Sequence, residues 1–527
     1  MKRLVSIFLI SAMIFSVLTG CGGSTDTTSD TSGTSAEQSG DNAETAETEA
    51  QPAKDTLVVA QTADTTTLDP QQQGRLWPDM SILSNIFDTL LTRDENGELA
   101  PNLATEWEAI DDYTWQFKLR DDVTFHNGEK FDANSVKFSI ERLIDPDFNS
   151  PISELRTVKE VNVVDDYTVN IVTSEPDPII PNKMVVYPGV MMPPEYVTEM
   201  GNDYVAKNPV GTGAYKFVSW EKDHEVVLEA NEDYWKGAPE FKNLIFRCIP
   251  NQADQAAALR TGEVDFVLGI SSDVAENLKD EENLTVFSAP SIRTFYIGLD
   301  CLSEGPLQDK RVRQAMNYAI DVQGIIDTVL GGNAQRVATI VPQQNFGYDD
   351  SIQPYEYNLE KAKELMAEAG YADGFTIDFD ADNDFLTEIQ AIAGQLEQIN
   401  ITVNINPIDY NTMVSKMLAK EVAPMFMIGI AGWTQDAMSN FQSYIRSDRK
   451  YTRFNNPECD EMIDILETSM DPEERQRAIS RVQEIISEEA YFIYLWQRDN
   501  ICVINKNIEY NPNLIGLLNM YSAKWIG

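Results

Sequence analysis

Hydrophobic residues in the body of the chain recur with two periods, one typical of strands and one typical of helices. In residues 115 to 119, Trp115, Phe117 and Leu119 alternate with polar residues, and this alternation predicts a half-buried strand. The segment 309 to 330 places apolar residues at helical spacing, which predicts an amphipathic helix that ends at a glycine pair. The pattern therefore indicates a mixed α/β protein.

The clearest alternation of elements lies in residues 358 to 405. Asn358 can cap a helix that ends at Gly370, and a strand is predicted over 375–379. A second amphipathic helix separates that strand from another strand over 401–405. A strand–helix–strand unit of this length predicts a right-handed crossover and a parallel or mixed sheet.

The charge of the chain limits the kinds of partner it can have. Lys and Arg number 40 against 85 Asp and Glu, which gives a formal net charge of −45. A nucleic acid would be repelled, because the basic residues are scattered among acids and form no patch. Beyond residue 20, no stretch approaches the roughly 20 apolar residues that a membrane-spanning helix needs. We therefore expect a globular body that binds no nucleic acid.

The first 21 residues have the pattern of an export signal. Lys2 and Arg3 precede an apolar run from residue 4 to residue 18, and Leu-Thr-Gly-Cys follows, ending at Cys21. This ending resembles the lipobox of bacterial lipoproteins, in which the cysteine is lipidated and becomes the first residue after cleavage. Residues 1–20 are thus predicted to be a lipoprotein signal peptide, and acyl chains on Cys21 to anchor the protein to the outer face of the cell membrane. An ordinary secretory signal is the alternative.

Residues 21–54 predict a tether between this anchor and the body. The segment consists mainly of Ser, Thr, Gly, Ala and acidic residues and contains no aromatic residue. Such a composition buries too little apolar surface to offset the entropy of ordering, so a disordered segment is expected. Acidic residues greatly outnumber its single base, Lys54, and their repulsion extends the tether.

The cysteines and histidines of the body do not predict a reactive centre. The four cysteines are Cys248, Cys301, Cys459 and Cys502. Export permits two disulfides, but free thiols are favoured because a body of this size does not need covalent links. The chain has two histidines, His126 and His224, and no CxxC or HxxxH spacing. We therefore predict no metal site, no cofactor and no His-based catalytic dyad.

Short motifs along the body occur in an order that matches a known family. They are Thr67-Leu-Asp-Pro70, Ile86-Phe-Asp-Thr-Leu-Leu91, Leu99-Ala-Pro-Asn-Leu-Ala104, Trp115-Gln-Phe-Lys-Leu-Arg120, Phe125-His-Asn-Gly128, Asn208-Pro-Val-Gly-Thr-Gly-Ala-Tyr215, Asn231-Glu-Asp-Tyr-Trp235, Arg311-Val-Arg-Gln-Ala315, Ala319-Ile-Asp321 and Ala362-Lys-Glu-Leu-Met-Ala-Glu-Ala-Gly370. Each motif is weak alone, but together they span most of the body. The body resembles the extracellular solute-binding protein family 5, the peptide-binding subunits of ABC importers.

This resemblance implies a type II periplasmic-binding-protein fold, with two α/β lobes joined at a hinge and an extra α+β domain. By analogy, lobe I comprises residues 55–87, 208–292 and 493–527, the extra domain residues 88–207, and lobe II residues 293–492. The chain would cross between the lobes near residues 291–298 and near Trp496. The resemblance also implies a monomeric binding protein, not an enzyme, that captures peptides between closing lobes and delivers them to an ABC permease and its ATPase.

The segment Gly432-Trp433-Thr434-Gln435-Asp436 resembles the part of oligopeptide and dipeptide binders whose Asp pairs with the peptide α-ammonium. Asp436 takes that place, and a buried ammonium needs such a counter-charge. Trp433 would pack on the ligand backbone or its first side chain. A surface or helix-capping role for Asp436 is the alternative, because Asn440 and Phe441 indicate a helix just after it. The residues after Asp436 depart from the family pattern, which leaves the identity of the ligand open.

Three further places are ligand-binding candidates by the same resemblance. Phe295 and Tyr296, at the expected crossover, would offer strand-like backbone bonds to an extended peptide, with one ring facing the cleft. Arg293 is a candidate for the peptide carboxylate, or else a member of an ion pair between the lobes. The early segment Gly74-Arg75-Leu76 corresponds to a loop that lines the cleft in the family.

Two alternative functions remain open from the sequence. The same fold can carry another cargo, such as a nickel chelate, an oligosaccharide or a signalling peptide. A secreted acid hydrolase is the second alternative, because carboxylates are plentiful. Against the hydrolase, no Ser, Cys or Lys nucleophile motif is present.

Overall fold

Two large β-sheets and one smaller sheet organise the chain in the computed structural model, which describes residues 54 to 527 except residues 75, 76 and 95. The seven strands of the first sheet are, in spatial order, Leu284–Ala289, Asn500–Asn505, Phe266–Leu268, Thr56–Gln61, Asn243–Cys248, Glu225–Ala230 and Tyr215–Glu221. The central strand Thr56–Gln61 pairs in parallel with both neighbours. Its four middle residues are buried, as expected for a parallel strand that is covered on both faces.

The second large sheet contains six strands. In spatial order they are Ala334–Arg336, Phe492–Arg498, Arg293–Leu299, Met425–Ala431, Phe375–Asp382 and Ile401–Ile408. Phe375–Asp382 pairs in parallel with both neighbours, and the helix Leu386–Leu396 connects it to Ile401–Ile408. The helix Leu359–Glu368 precedes this unit, and its first turn is capped by the Asn358 side chain. The predicted strand–helix–strand unit is therefore confirmed.

The third sheet is wholly antiparallel. Its four strands are, in spatial order, Ala104–Asp111, Thr114–Leu119, Thr168–Thr173 and Val158–Asp165. The helix Ala133–Ile144 packs against one face. In Thr114–Leu119, Phe117 and Leu119 are buried and Trp115 is half-buried, so the alternation predicted for this strand is confirmed. Below, the parts built on the seven-, six- and four-stranded sheets are called the first lobe, the second lobe and the extra domain.

Other helices and short strands complete the described chain. The α-helices are Trp77–Ile86, Ile180–Lys183, Pro194–Met200, Asn202–Val205, Gln252–Thr261, Ser272–Glu276, Lys310–Ala319, Val322–Thr328, Tyr410–Ala419, Ala437–Tyr444, Pro457–Thr468 and Pro472–Glu488. Two short antiparallel pairs are Leu91–Arg93 with Leu99–Pro101, and Ile508–Glu509 with Lys524–Trp525. Both pairs are separate two-stranded sheets outside the three main sheets.

The single helix predicted over residues 309 to 330 is two helices. Lys310–Ala319 ends at Ile320, whose backbone is extended, and Val322–Thr328 begins directly afterwards. Asp321 starts the second helix, because its carboxylate accepts a hydrogen bond from the Gly324 N–H at 2.9 Å. A capping side chain inside an apolar period thus divides what the period alone shows as one helix.

The chain passes between the two large sheets twice within the described residues, at residues 289–293 and 498–500. The Ser291 hydroxyl donates to the Arg498 carbonyl at 2.5 Å and so links the two crossing segments. The strand Phe492–Arg498 lies in the six-stranded sheet, although the boundary drawn from the sequence at residue 493 assigns it to the first lobe. The division into domains otherwise stays a prediction.

Within the described residues, none of the helices has the length and apolar character that crossing a membrane requires. The four body cysteines are all free thiols. No group of three or more His, Cys, Asp or Glu side chains in the described part of the chain is arranged to hold a metal ion. The predicted signal peptide, the lipidation of Cys21 and the tether up to residue 53 lie outside the described residues.

Candidate functional site

The loop after the strand Met425–Ala431 carries the ligand residues predicted from the sequence, Gly432 to Asp436. The Trp433 N–H donates to the Ala431 carbonyl at 3.0 Å, and the Gln435 N–H donates to the Gly432 carbonyl at 2.7 Å. A Cβ atom on Gly432 would lie 2.5 Å from the Asn345 amide nitrogen. The loop is therefore a tight turn, and the Asn345 side chain lies directly against its first residue.

Trp433 is half-buried and packs against aromatic residues from an earlier part of the chain. Its ring centroid lies 5.1 Å from that of Trp77, at the start of the helix Trp77–Ile86, and 6.4 Å from that of Tyr187. Aromatic pairs at such separations stabilise a contact beyond the area they bury. In this structure Trp433 joins the second lobe to the rest of the protein.

Thr434 makes the polar part of the same contact. Its backbone carbonyl accepts a hydrogen bond from the Asn182 side chain at 3.1 Å and another from the Arg93 guanidinium. Neither donor belongs to the second lobe. The loop is thus held to residues outside the second lobe by two side-chain donors on one carbonyl.

The carboxylate of Asp436 is engaged inside the second lobe. Asp436 is 1% exposed, and it caps the helix Ala437–Tyr444 by accepting a hydrogen bond from the Met438 N–H at 2.9 Å. One Arg475 nitrogen donates to both carboxylate oxygens at 2.8 Å. The helix-capping alternative therefore describes its position well, and its charge is balanced by Arg475. Its contact with a ligand ammonium stays a prediction.

Phe295 and Tyr296 lie in the interior of the second lobe. The strand Arg293–Leu299 pairs with Met425–Ala431 on one edge and with Phe492–Arg498 on the other. Because both edges of this strand are paired, its backbone offers no row of free hydrogen-bonding groups to an extended peptide. Both rings are buried, at 1% and 0% exposure, so neither faces an open cleft as the alternation suggested.

Arg293 belongs to a partly buried group of charged and aromatic side chains. Its guanidinium carbon lies 5.0 Å from the centroid of the Phe295 ring. Burial raises the pKa of the nearby Asp382 above its ordinary value, and the positive charge of Arg293 offsets part of that rise. This placement fits an internal charge contact; its role toward a peptide carboxylate stays a prediction.

The predicted cleft segment Gly74-Arg75-Leu76 is described only in part. Gly74 is exposed, and a Cβ atom there would meet no other atom within 4 Å. Arg75 and Leu76 lie outside the described residues. The expectation that this segment lines the ligand cleft therefore stays a prediction.

A cavity of about 910 Å³ lies beside the loop and contains residues that the sequence analysis did not single out. Its walls come from the hairpin around Arg93, from residues 185–187, from the segment 509–524 and from Gln435. A volume of this size suits a ligand of a few residues. No sequence pattern indicates the cavity, because it is built by segments far apart in the chain, between residue 70 and residue 524.

Asp88 forms a buried polar network on another wall of this cavity. Its carboxylate accepts hydrogen bonds from the Tyr234 hydroxyl, the Trp235 indole N–H and the Thr212 hydroxyl, each at 3.0 Å. Burial raises the pKa of Asp88, and the positive charge of Lys236 is the largest influence that lowers it. The network joins three sequence motifs, those at residues 86–91, 208–215 and 231–235, into one structural unit.

The three sheets and the closed contact between them define the class of protein. The periplasmic binding protein DppA of Helicobacter pylori, solved with the peptide STSA, is 25% identical to this chain and matches it with a TM-score of 0.76 over 90% of this chain and 98% of that one. The substrate-binding protein CtaP of Listeria monocytogenes has the same fold, with a TM-score of 0.82 at 22% identity over 90% and 100% of the two chains. The fold is that of type II periplasmic binding proteins, with two lobes and an extra domain.

Residues 98–452 match the model of the bacterial extracellular solute-binding proteins, family 5, and the chain belongs to this family of ABC-importer binding proteins. Two relatives are typical. The glutathione-binding protein GsiB of Salmonella paratyphi A is 28% identical over 472 residues, which cover 86% of this chain and 91% of the relative. The probable D,D-dipeptide-binding protein DdpA of Escherichia coli is 26% identical over 494 residues, which cover 89% and 94%. The family consists of transport proteins that bind substrates and not of enzymes.

Proposed function

We propose that this protein captures peptides or peptide-like solutes between its two lobes and delivers them to a membrane permease of the ABC class. The membership in family 5 carries this proposal, and the relatives named for glutathione and D,D-dipeptides support a peptide-type cargo. The cavity of about 910 Å³ beside the lobe contact supports a ligand of a few residues.

Capture requires that the ligand favour the closed form over the open form. The closed form has contacts that an open form lacks, among them the Trp433–Trp77 ring pair and the two hydrogen bonds to the Thr434 carbonyl. A solute shifts the equilibrium only through interactions that differ between the two forms. Gln435 lines the cavity from the second lobe and the other lining residues lie outside that lobe, so a ligand in the cavity would touch both sides of this contact.

Identification of the copurified ligand tests the proposed cargo. The protein is purified without refolding and denatured, and the released small molecules are analysed by mass spectrometry. We expect peptides of two to several residues. Release of a sugar or a metal chelate would leave the transport function in place and refute the peptide assignment. The assignment would also be refuted if the released molecules contained no peptide and an added random tetrapeptide mixture did not raise the melting temperature of the protein.

The cellular location of the protein is part of the same proposal. We infer that Cys21 is lipidated and holds a monomeric protein at the outer face of the cell membrane. Replacing Cys21→Ala in the full-length chain removes the acylated atom, and we expect the protein to move from the membrane fraction to the soluble fraction. Persistence of the variant in the membrane fraction would contradict lipid anchoring.

A further inference from the structure

A short hairpin places the Arg93 guanidinium against the loop Gly432 to Asp436 of the second lobe. The strands Leu91–Arg93 and Leu99–Pro101 are closed by a turn in which Gly97 adopts a positive φ of 85°. The Gly97 carbonyl accepts a hydrogen bond from Arg93 Nη1 at 2.6 Å, and the Thr434 carbonyl accepts one from Nη2. The two terminal nitrogens of Arg93 therefore fix its guanidinium between the hairpin and the second lobe.

Two polar atoms at this place have no hydrogen-bond partner among the described residues. One is the buried Nε of Arg93 and the other is Oε1 of Gln435, whose residue is 2% exposed. A Cβ atom on Gly97 would lie within about 4.0 Å of both terminal atoms of the Gln435 side chain, so the amide lies against the hairpin. Both Arg93 and Gln435 line the cavity. A buried polar group without a partner is costly, and a ligand that supplies the partner removes that cost.

The charges at this end of the cavity do not cancel. Burial lowers the pKa of Arg93 to about 10, so the guanidinium stays protonated at neutral pH. Asp436 is the buried acid that acts on Arg93, but both of its oxygens bind Arg475. Glu98, the other acid that acts on Arg93, is exposed to solvent. The buried part of this group therefore contains two guanidinium cations, Arg93 and Arg475, and one carboxylate, Asp436, while the further counter-charge of Glu98 acts from solvent.

We propose that Arg93 and Gln435 form a carboxylate-binding subsite for the ligand. A ligand carboxylate would accept a hydrogen bond from the Arg93 Nε–H and a second one from the Gln435 amide. The two ends of a primary amide are alike in size, so a half-turn of the Gln435 amide presents its N–H₂ group to the anion. The carboxylate would also balance the excess positive charge, which a neutral acceptor does not.

This subsite deepens the proposed function and rests on it. It also sets the direction of the ligand. Arg93 and Gln435 line the cavity next to the loop that carries Asp436, so a bound peptide would place its carboxylate there, rather than its ammonium group. The proposal thus differs from the role that the family resemblance suggests for Asp436, and a chemical block on either end of the peptide separates the two.

Equilibrium dialysis with mass-spectrometric readout tests the subsite on the full chain. The probe is a tetrapeptide mixture randomised at all positions, in three forms: free, C-terminally amidated and N-acetylated. For the wild type, we expect amidation to weaken binding about 10- to 100-fold, because one charge-assisted hydrogen bond is lost. We expect N-acetylation to change binding less than threefold.

Two variants locate the effect at the proposed residues. Arg93→Lys keeps the positive charge but removes the Nε–H, and Gln435→Glu keeps the size of the side chain but supplies a carboxylate of its own to Arg93. Both variants should bind the free mixture more weakly and lose most of the discrimination against the amide. Arg260→Lys, in the distant helix Gln252–Thr261, is the matched control and should behave as the wild type does.

Each outcome decides the proposal. Equal binding of the free and amidated mixtures by the wild type would overturn the subsite and leave the peptide function standing. Discrimination that persists in both folded variants would also overturn it. Binding of none of the three forms by the wild type would refute the peptide function itself, and the subsite with it. If Arg93→Lys fails to give a cooperative thermal transition, Gln435→Glu decides alone.

Discussion

The ion pair between Asp436 and Arg475 should contribute strongly to the stability of the ligand-free protein. Asp436 is 1% exposed and Arg475 is 6% exposed. Replacing Asp436→Asn keeps a good helix-capping residue before Ala437–Tyr444, so the change isolates the loss of charge. What remains is a buried guanidinium whose main further contacts are the Leu466 carbonyl at 3.4 Å and the Phe346 ring at 4.9 Å.

The expected loss follows from that burial. Removing one partner of a buried ion pair costs about 3–5 kcal/mol, because the other charge is left desolvated and uncompensated. Neither a carbonyl at 3.4 Å nor a ring face replaces a carboxylate, so we expect Asp436→Asn to lower the free energy of unfolding by about 3 kcal/mol. Arg475→Met removes the cation and should rescue part of this loss when it is combined with Asp436→Asn.

Urea unfolding of the ligand-free protein, followed by tryptophan fluorescence, measures these effects. The four proteins of the cycle are compared at their transition midpoints, with the slopes checked for constancy. The control is Glu106→Gln, which breaks an exposed ion pair with Lys118 and should cost less than about 1 kcal/mol. If Asp436→Asn unfolds within about 1 kcal/mol of the wild type, or if the two changes are simply additive, the ion pair does not hold this part of the second lobe together.

Two further predictions concern acid stability and closure. Burial lowers the pKa of His126 to about 4, against about 6.5 for an unfolded chain, and the neutral ring donates to the Gly213 carbonyl at 2.9 Å. The unfolded state therefore binds the extra proton. The contribution of the neutral His126 ring to the free energy of unfolding is complete above pH 6.5, and about 2–3 kcal/mol of it is lost as the pH falls toward 4. The stability advantage over His126→Gln should shrink over that range in urea titrations, and an advantage that stays constant over it would contradict this reasoning. Trp433→Ala should favour the open form, because the ring contacts with Trp77 are lost; small-angle scattering should give a larger radius of gyration without ligand, and an unchanged radius would contradict the role of this contact.

Local chemistry determined much of the fold. The helix and strands between residues 358 and 405 follow from capping residues and from apolar periods that any short window of the sequence displays. The alternation in Thr114–Leu119 likewise needs only one buried face. The same patterns failed at Asp321, where one capping carboxylate divides an apolar period into two helices.

The family and the general fold were also readable from the chain, because ten short motifs stand in order along it. Such motifs mark the backbone turns and packing contacts that a fold requires wherever it occurs. The motifs around Asp88 and Trp235 illustrate this, since they meet in one buried hydrogen-bond network. A shared network of this kind specifies architecture and leaves the choice of ligand undetermined.

Only the tertiary structure decided the state of the candidate site. Asp436 is followed in sequence by a helix that it caps, but its charge is balanced by Arg475, 39 residues later. Arg93 and Gln435 are more than 300 residues apart, and no local pattern joins them. Electrostatic and hydrogen-bonding properties depend on distance in space and on exclusion of water, and both are set by the packing of segments far apart in the chain. The sequence therefore determines which charges exist, and the fold decides which of them remain for a ligand.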